Sequence, residues 1–262
     1  MNPNSPLIVL MYHGIISKTS DVPEGRETGA ELYDVSLERF QEQIGFLRSH
    51  IFPVITVEDA QMPAGKAKII LTFDDGEMNN IKNALPVLQK FGLPAYFFVT
   101  TNRIGKKGYM GWEELKELRD CDMLIGSHGL THQILTDLKP RALQEELVNS
   151  KEILERQLKI NVDCFSVPRG FYNGNVIEAA KAAGYKAIFV SETQGVLEES
   201  CFARVAVKNN WPLARFERAL IGQIPVEEQV GTATKGLLKR ILGAVGYDRL
   251  RDSLLKKKNK TR

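Results

Sequence analysis

The sequence predicts an α/β protein built on a parallel sheet. Short apolar runs rich in β-branched and aromatic residues recur along the chain, segments of helical periodicity separate most of them, and no linker-like tract interrupts the alternation. An open sheet and a (β/α) barrel both satisfy that pattern. Histidines and carboxylates follow several of the strands, which is how barrel sites are assembled at the C-terminal face.

Residues 7–12 read as a first buried strand, with His13-Gly14 at its end. Residues 16–33 carry Gly, Pro, Ser and Thr and read as a loop. Ser36 is placed to cap a helix running to about residue 50, with Phe40, Ile44 and Leu47 on one face. Residues 52–57 read as a short strand. The run Ile69-Ile70-Leu71-Thr72-Phe73 reads as a buried strand and stops at Asp74-Asp75-Gly76. A helix over about 80–91 must tolerate Pro86 and is ended by Gly92. Strands are then expected at 95–100, 123–127, 163–167, 186–190 and 203–207, with helices at 112–118, 141–159, 176–183 and 212–221.

Composition bounds the rest. At 262 residues the chain can bury a sizeable core, and its formal net charge of +3 gives no reason to expect nucleic acid as a partner. Cys121, Cys164 and Cys201 are scattered, which favours reduced thiols. The N-terminal residues carry no positive n-region, and the apolar run 7–12 is too short for a signal peptide or a membrane span. These features lead to the expectation of a cytoplasmic protein.

Asp74 and Asp75 are open to two readings. Asp-Asp-Gly is ordinary turn chemistry. Adjacent carboxylates at the end of a buried strand also suit a site where one binds a cation and the other handles a proton. His128 and His132, four apart after another strand, have two readings as well. They are a pair of turn histidines, or two imidazoles that join a carboxylate in the three-ligand open site of a catalytic zinc.

Thr72-Phe73-Asp74-Asp75-Gly76 resembles the first motif of the polysaccharide deacetylases, the NodB-like or family 4 carbohydrate esterases. Ser127-His128-Gly129-Leu130-Thr131-His132 resembles their second motif, S-H-x-x-x-H. The stretch from Phe165 to Asn173 is similar to the third motif region. The resemblance implies a distorted (β/α) barrel of about seven parallel strands. It implies Asp75, His128 and His132 as metal ligands, Asp74 as the general base, and Pro168, Arg169 and Gly170 along a substrate groove. The ligand set suits Zn²⁺, with Co²⁺, Ni²⁺ and Fe²⁺ also compatible.

The chain departs from the commonest pattern in two places. The arginine that many members carry early in the third motif is replaced by Ser166, and no histidine follows His132. One branch of the family is circularly permuted and begins with Met-Tyr-His, which Met11-Tyr12-His13 matches. That implies His13 as the general acid; the other reading is a structural histidine at a strand end. Arg204 is expected to steady Asp74, to bind substrate or to form a plain ion pair. Trp112 either stacks on a sugar ring or packs at a helix start.

The expected organisation is a deacetylase barrel over residues 1–230 and a basic amphipathic helical tail over 231–262. Leucines at helical spacing alternate with lysines and arginines between 235 and 258, a pattern that either lies on an anionic membrane surface or packs on the barrel. The expected activity is metal-dependent removal of an acetyl or formyl group from an amino sugar in a cell-surface glycan or lipid-linked precursor, peripheral at the inner leaflet. A metal-dependent phosphoesterase and a non-catalytic glycan-binding barrel are the alternatives.

Overall fold

The computed structural model describes residues 6–60, 65–191, 200–223 and 246. The tail expected over 231–262, with its membrane-facing pattern at 235–258, lies outside the described residues apart from Gly246.

In chain order the elements are β1 (Leu7–Tyr12), β2 (Ile15–Ile16), β3 (Val35–Ser36), α1 (Leu37–Ser49), β4 (Lys68–Phe73), a π-helical turn (Asn80–Ala84), α2 (Leu85–Phe91), β5 (Tyr96–Val99), α3 (Trp112–Asp120), β6 (Leu124–Ser127), α4 (Pro140–Leu158), β7 (Cys164–Ser166), α5 (Gly174–Ala182), β8 (Ala187–Val190), β9 (Cys201–Ala206) and α6 (Leu213–Leu220). Seven of the strands close a parallel barrel in the order β1-β4-β5-β6-β7-β8-β9, and β1 pairs with β9 to complete it. The barrel form of the α/β expectation is the one adopted. β2 and β3 form a separate two-stranded parallel ladder.

Local chemistry explains the helix ends. Ser36 caps α1 by accepting from the Arg39 backbone N–H at 3.3 Å. Pro86 is tolerated because the chain runs as a π turn to Ala84 and restarts as α2 with the proline in its first turn, where no backbone donor is needed. Gly92 ends α2 in the left-handed conformation.

The strand expected at 52–57 does not form. Val54 makes a single parallel bridge to Ile69, with Ile69 N donating to Pro53 O and Ile55 N donating to Ile69 O. Pro53 has no N–H to extend a ladder. Beyond the bridge, Ile55 and Val57 pack against the barrel interior instead.

The period of two along each strand divides the core into two layers. Val9, Ile70, Tyr96, Phe98, Cys164, Ala187 and Phe189 form one cluster, which fills the barrel. Their neighbours Leu10, Leu71, Phe97 and Ile188 belong to a second cluster, shared with Phe40, Ile44 and Leu47 of α1 and Leu143, Leu147, Leu154 and Leu158 of α4. Each large apolar side chain so buried contributes about 1.5–3 kcal/mol of transfer free energy. Gly126 sits among the interior rings: a Cβ there would lie 2.4 Å from Phe98 Cε1 and 2.9 Å from the Cys164 carbonyl oxygen.

The interior becomes polar toward the C-terminal ends of the strands. Thr72, Asp74, Ser166 and Arg204 continue the inward parity of Ile70, Cys164 and Phe202, and all four are buried. This polar layer is the floor of the site. Among the described residues, no helix is long and apolar enough to cross a membrane.

Candidate metal and catalytic site

The two aspartates face one mouth because the backbone turns between them. Asp74 N still donates to the Tyr12 carbonyl, continuing the β1–β4 ladder. Asp75 (φ 75°) and Gly76 (φ 74°) are then both left-handed, so Asp75 does not follow the pleat to the far side. A left-handed non-glycine residue costs roughly 1–2 kcal/mol, and such strain is held where the surroundings over-determine it.

Asp74 is buried against Arg204. The guanidinium donates from Nη1 to Oδ1 at 2.8 Å and from Nη2 to Oδ2 at 2.9 Å, a bidentate fork. Ser166 Oγ accepts from Arg204 Nη2 at 2.9 Å and donates toward the same carboxylate at 3.2 Å. Burial alone would raise the Asp74 pKa; the positive charge of Arg204 outweighs it and holds the carboxylate ionised. Arg204 is only 1% exposed and both ends of its fork are spent on Asp74. Of the roles expected for it, steadying Asp74 is therefore the one the geometry matches. A pair so deeply buried is not an ordinary surface ion pair. Arg204 from β9 thus stands where the arginine missing at Ser166 was expected to act.

Asp75, His128 and His132 converge. One ligand atom from each lies within 4.8 Å of the other two. His132 Nε2 is 3.2 Å and His128 Nε2 3.8 Å from Asp75 Oδ1. Both imidazoles are oriented from behind. His128 Nδ1 lies 2.9 Å from the Ser166 carbonyl, which fixes the proton on that nitrogen and leaves Nε2 as the lone-pair donor. His132 Nδ1 lies 2.8 Å from Glu27 Oε1.

The donor set fits a divalent metal: two nitrogens and one carboxylate, each ring backed by an acceptor, as metal-binding histidines almost always are. Burial drives the His128 pKa down to about 4, so that ring is neutral and competent as a ligand. Burial would lower His132 too, but Asp75 and Glu27 on either side push it up to about 9. Asp75 is held well below the usual carboxylate range, because the charge and hydrogen bond of His132 overcome the penalty of burial.

Loop geometry brings the second histidine round. Gly129 (φ 76°) and His132 (φ 66°) are left-handed. Glu146 of α4 accepts from Thr131 N at 2.6 Å and from Thr131 Oγ1, pinning the loop between the rings.

His13 follows β1 at the same end of the barrel. Its carbonyl accepts from Asn80 Nδ2 at 2.7 Å, and its ring lies 5.0 Å from that of Tyr33. His13 Nδ1 is buried with no hydrogen-bond partner among the described residues. Its charge is among the influences lowering both Asp74 and Asp75, which puts the ring in electrostatic reach of the pair.

The third-motif residues lie at the end of β7, where Pro168–Gly170 makes a 3-10 turn. Pro168 is buried and its Cγ is 3.4 Å from where a Gly129 Cβ would stand; Arg169 and Gly170 are half-buried. Trp112 is the first residue of α3 and packs, half-buried, against the core between helices and barrel.

Several site residues escaped the sequence reading. Glu27 comes from the segment 16–33, whose composition reads as a plain loop. Arg103 donates to Asp75 Oδ1 at 2.8 Å and to Glu27 Oε1 at 2.5 Å. Arg26 bridges Asp34 (2.7 Å) and the fully buried Glu77 (3.0 Å), whose carboxyl burial pushes up to about 7. The one available signal was the charge run Glu24-Gly25-Arg26-Glu27 inside an otherwise small and polar loop.

Comparisons with known proteins agree with this geometry. The family described as Polysaccharide deacetylase matches residues 61–188. The chain is 29% identical over 186 residues to YxkH of Bacillus subtilis (strain 168), covering 69% of this chain and 62% of that protein. It is 26% identical over 188 residues to the poly-beta-1,6-N-acetyl-D-glucosamine N-deacetylase of Staphylococcus aureus, covering 64% of each. The chain therefore spans less than two thirds of the length of these relatives. Among solved structures, BC0361 of Bacillus cereus, a polysaccharide deacetylase, superposes with a TM-score of 0.71 at 26% identity, covering 82% of this chain and 68% of that one. With the motif aspartates and histidines gathered at one end of a seven-stranded barrel, the chain matches the polysaccharide deacetylase family in sequence over residues 61–188 and in fold.

Proposed function

We propose that this chain is a metal-dependent N-deacetylase that hydrolyses the acetamido (or formamido) group of an amino sugar within a glycan. The observation that carries the reading is the division of the aspartate pair. Asp75 joins His128 and His132, while its neighbour Asp74 is held ionised by Arg204 and left out of the ligand set. Sugar binding alone needs no such base.

Asp75, His128 and His132 would hold the cation, Zn²⁺ by ligand type. When bound, it supplies Lewis acidity for the amide carbonyl and lowers the pKa of water to about 7. Asp74 takes a proton from the water that adds to the carbonyl carbon. His13 gives a proton to the sugar nitrogen as the C–N bond breaks, so the products are acetate and a free amino sugar. Ser166 and Arg204 keep the Asp74 carboxylate fixed through both steps. Pro168, Arg169 and Gly170, on the rim at the end of β7, would contact the sugar.

A lipid-linked or other intracellular precursor as substrate, and contact of residues 235–258 with an anionic leaflet, extend this reading on the sequence pattern alone. Flotation with anionic vesicles tests the membrane part. The phosphoesterase reading is less favoured because such sites often hold two metals, and one triad is present among the described residues. The deciding experiment incubates Zn²⁺-loaded protein with N-acetylglucosamine oligomers and lipid-linked N-acetylated sugars, and measures acetate release with and without a chelator. Chelator-sensitive acetate release is expected. Release of phosphate from aryl phosphates, with no acetate from any amide, would replace the reading with the phosphoesterase one.

A further inference from the structure

Four polar side chains from four separate loops close a ring that includes two members of the triad, Asp75 and His132. His132 Nδ1 contacts Glu27 Oε1 at 2.8 Å, and its Nε2 contacts Asp75 Oδ1 at 3.2 Å. Arg103 reaches the same two carboxylates from the other side, Nη1 to Asp75 Oδ1 at 2.8 Å and Nη2 to Glu27 Oε1 at 2.5 Å. Glu27 comes from the segment between β2 and β3, Asp75 from the end of β4, Arg103 from the 3-10 turn after β5, and His132 from the loop after β6.

From this ring we infer that Glu27 is a positioning residue for the metal centre, an inference that rests on the site reading above. An imidazole that ligates through Nε2 as a neutral ring must carry its proton on Nδ1. That nitrogen has two neighbours, Glu27 Oε1 at 2.8 Å and Arg103 Nη2 at 3.3 Å. Arg103 has only donors to offer and cannot accept the Nδ1 proton. Glu27 can, so the carboxylate selects the ligating tautomer and fixes the plane of the ring. Arg103 in turn keeps Glu27 in place through the shared oxygen. His128 obtains the same service from the Ser166 backbone carbonyl, which no side-chain substitution removes. Glu27 is the mutable half of the arrangement, and it makes the loop before β3 part of the metal centre rather than a cover over it.

The test measures metal affinity directly, by competition of Zn²⁺ with a chromophoric chelator and by the visible absorption of the Co²⁺-loaded protein. Glu27→Ala is expected to bind Zn²⁺ about 10–100-fold more weakly, the usual effect of losing an outer partner of a ligating histidine. Glu27→Gln keeps an acceptor oxygen and is expected to recover most of the affinity and the wild-type Co²⁺ spectrum. If Glu27→Ala fails to fold by circular dichroism, Glu27→Met, of similar length but without an acceptor, takes its place. Wild-type affinity in a folded variant lacking the acceptor would overturn the inference while leaving the deacetylase reading intact. Absence of Zn²⁺ binding by the wild-type chain would overturn the site reading and, with it, this inference.

Discussion

Arg204 grips Asp74 with both ends of its guanidinium fork, at 2.8 and 2.9 Å, in a layer closed to solvent. A buried pair of this kind contributes little relative to a well-packed apolar substitute, but removing one partner strands the other charge. Arg204→Met is therefore expected to lower unfolding free energy by about 3–5 kcal/mol, read from urea denaturation. The double variant Arg204→Met/Asp74→Asn should recover a large part of that loss while remaining inactive. A double variant no more stable than Arg204→Met would mean that the stranded carboxylate is not the cause.

Gly126 is the point where the barrel interior tolerates no side chain. Gly126→Ala drives a methyl into Phe98 and the Cys164 carbonyl. Overpacking at a closed site costs about 1–3 kcal/mol, so a lowered melting temperature is expected, with partial recovery in Gly126→Ala/Phe98→Leu. An unchanged melting temperature for the single variant would contradict the packing described.

Alkaline pH acts through buried acids, Cys164 and Tyr185 among them. Burial pushes the Cys164 thiol from 9.0 to about 12 and the Tyr185 phenol from 10.0 to about 12. A raised folded pKa means that the unfolded chain releases its protons first. The contribution is thus fully present below about pH 9 and is lost as pH rises from 9 to 12. Urea midpoints should fall across that window, and less steeply for Cys164→Ala. Native Cys164 should also resist iodoacetamide at pH 8 and react once the protein is unfolded in urea.

His13→Ala and Asp74→Asn are expected to reduce kcat for acetate release by about 10²–10⁴-fold each, with Zn²⁺ affinity kept close to wild type. Neither side chain is in the ligand triad. Loss of Zn²⁺ binding in His13→Ala would reassign that ring from proton transfer to the metal.

Much of the fold was legible because its signals are local. The apolar runs at 69–73, 95–100 and 186–190 announce strands within a few residues, and Pro86 and Gly92 punctuate a helix. The convergence of Asp75, His128 and His132 was legible through the family resemblance that Asp74-Asp75 and His128-x-x-x-His132 carry as short motifs at strand ends. Glu27, Arg103 and Arg26 were not, because each acquires its role from a partner on a different loop, and nothing in its own neighbourhood encodes that meeting. Arg204 was half-legible: a place beside Asp74 is one of the three readings its sequence position allows, and only barrel closure brings the two together. Residues 52–57 misled because apolar content marks burial, and a segment packed against the barrel interior is as apolar as a strand.

Barrel closure also sets an order of events. β1 lies against both β4 and β9, with Val9 opposite Arg204, so the first strand waits for the last. A ribosome releases Asp74 and both histidines well before it has made Arg204. Until then the Asp74 carboxylate lacks its counter-charge and the polar layer cannot dehydrate. The chain must hold its earlier strands together, or shield them, until β9 is available, and pairings of such long sequence separation are slow to form. The Asp74–Arg204 pair is therefore completed only with β9, the strand that seals the barrel.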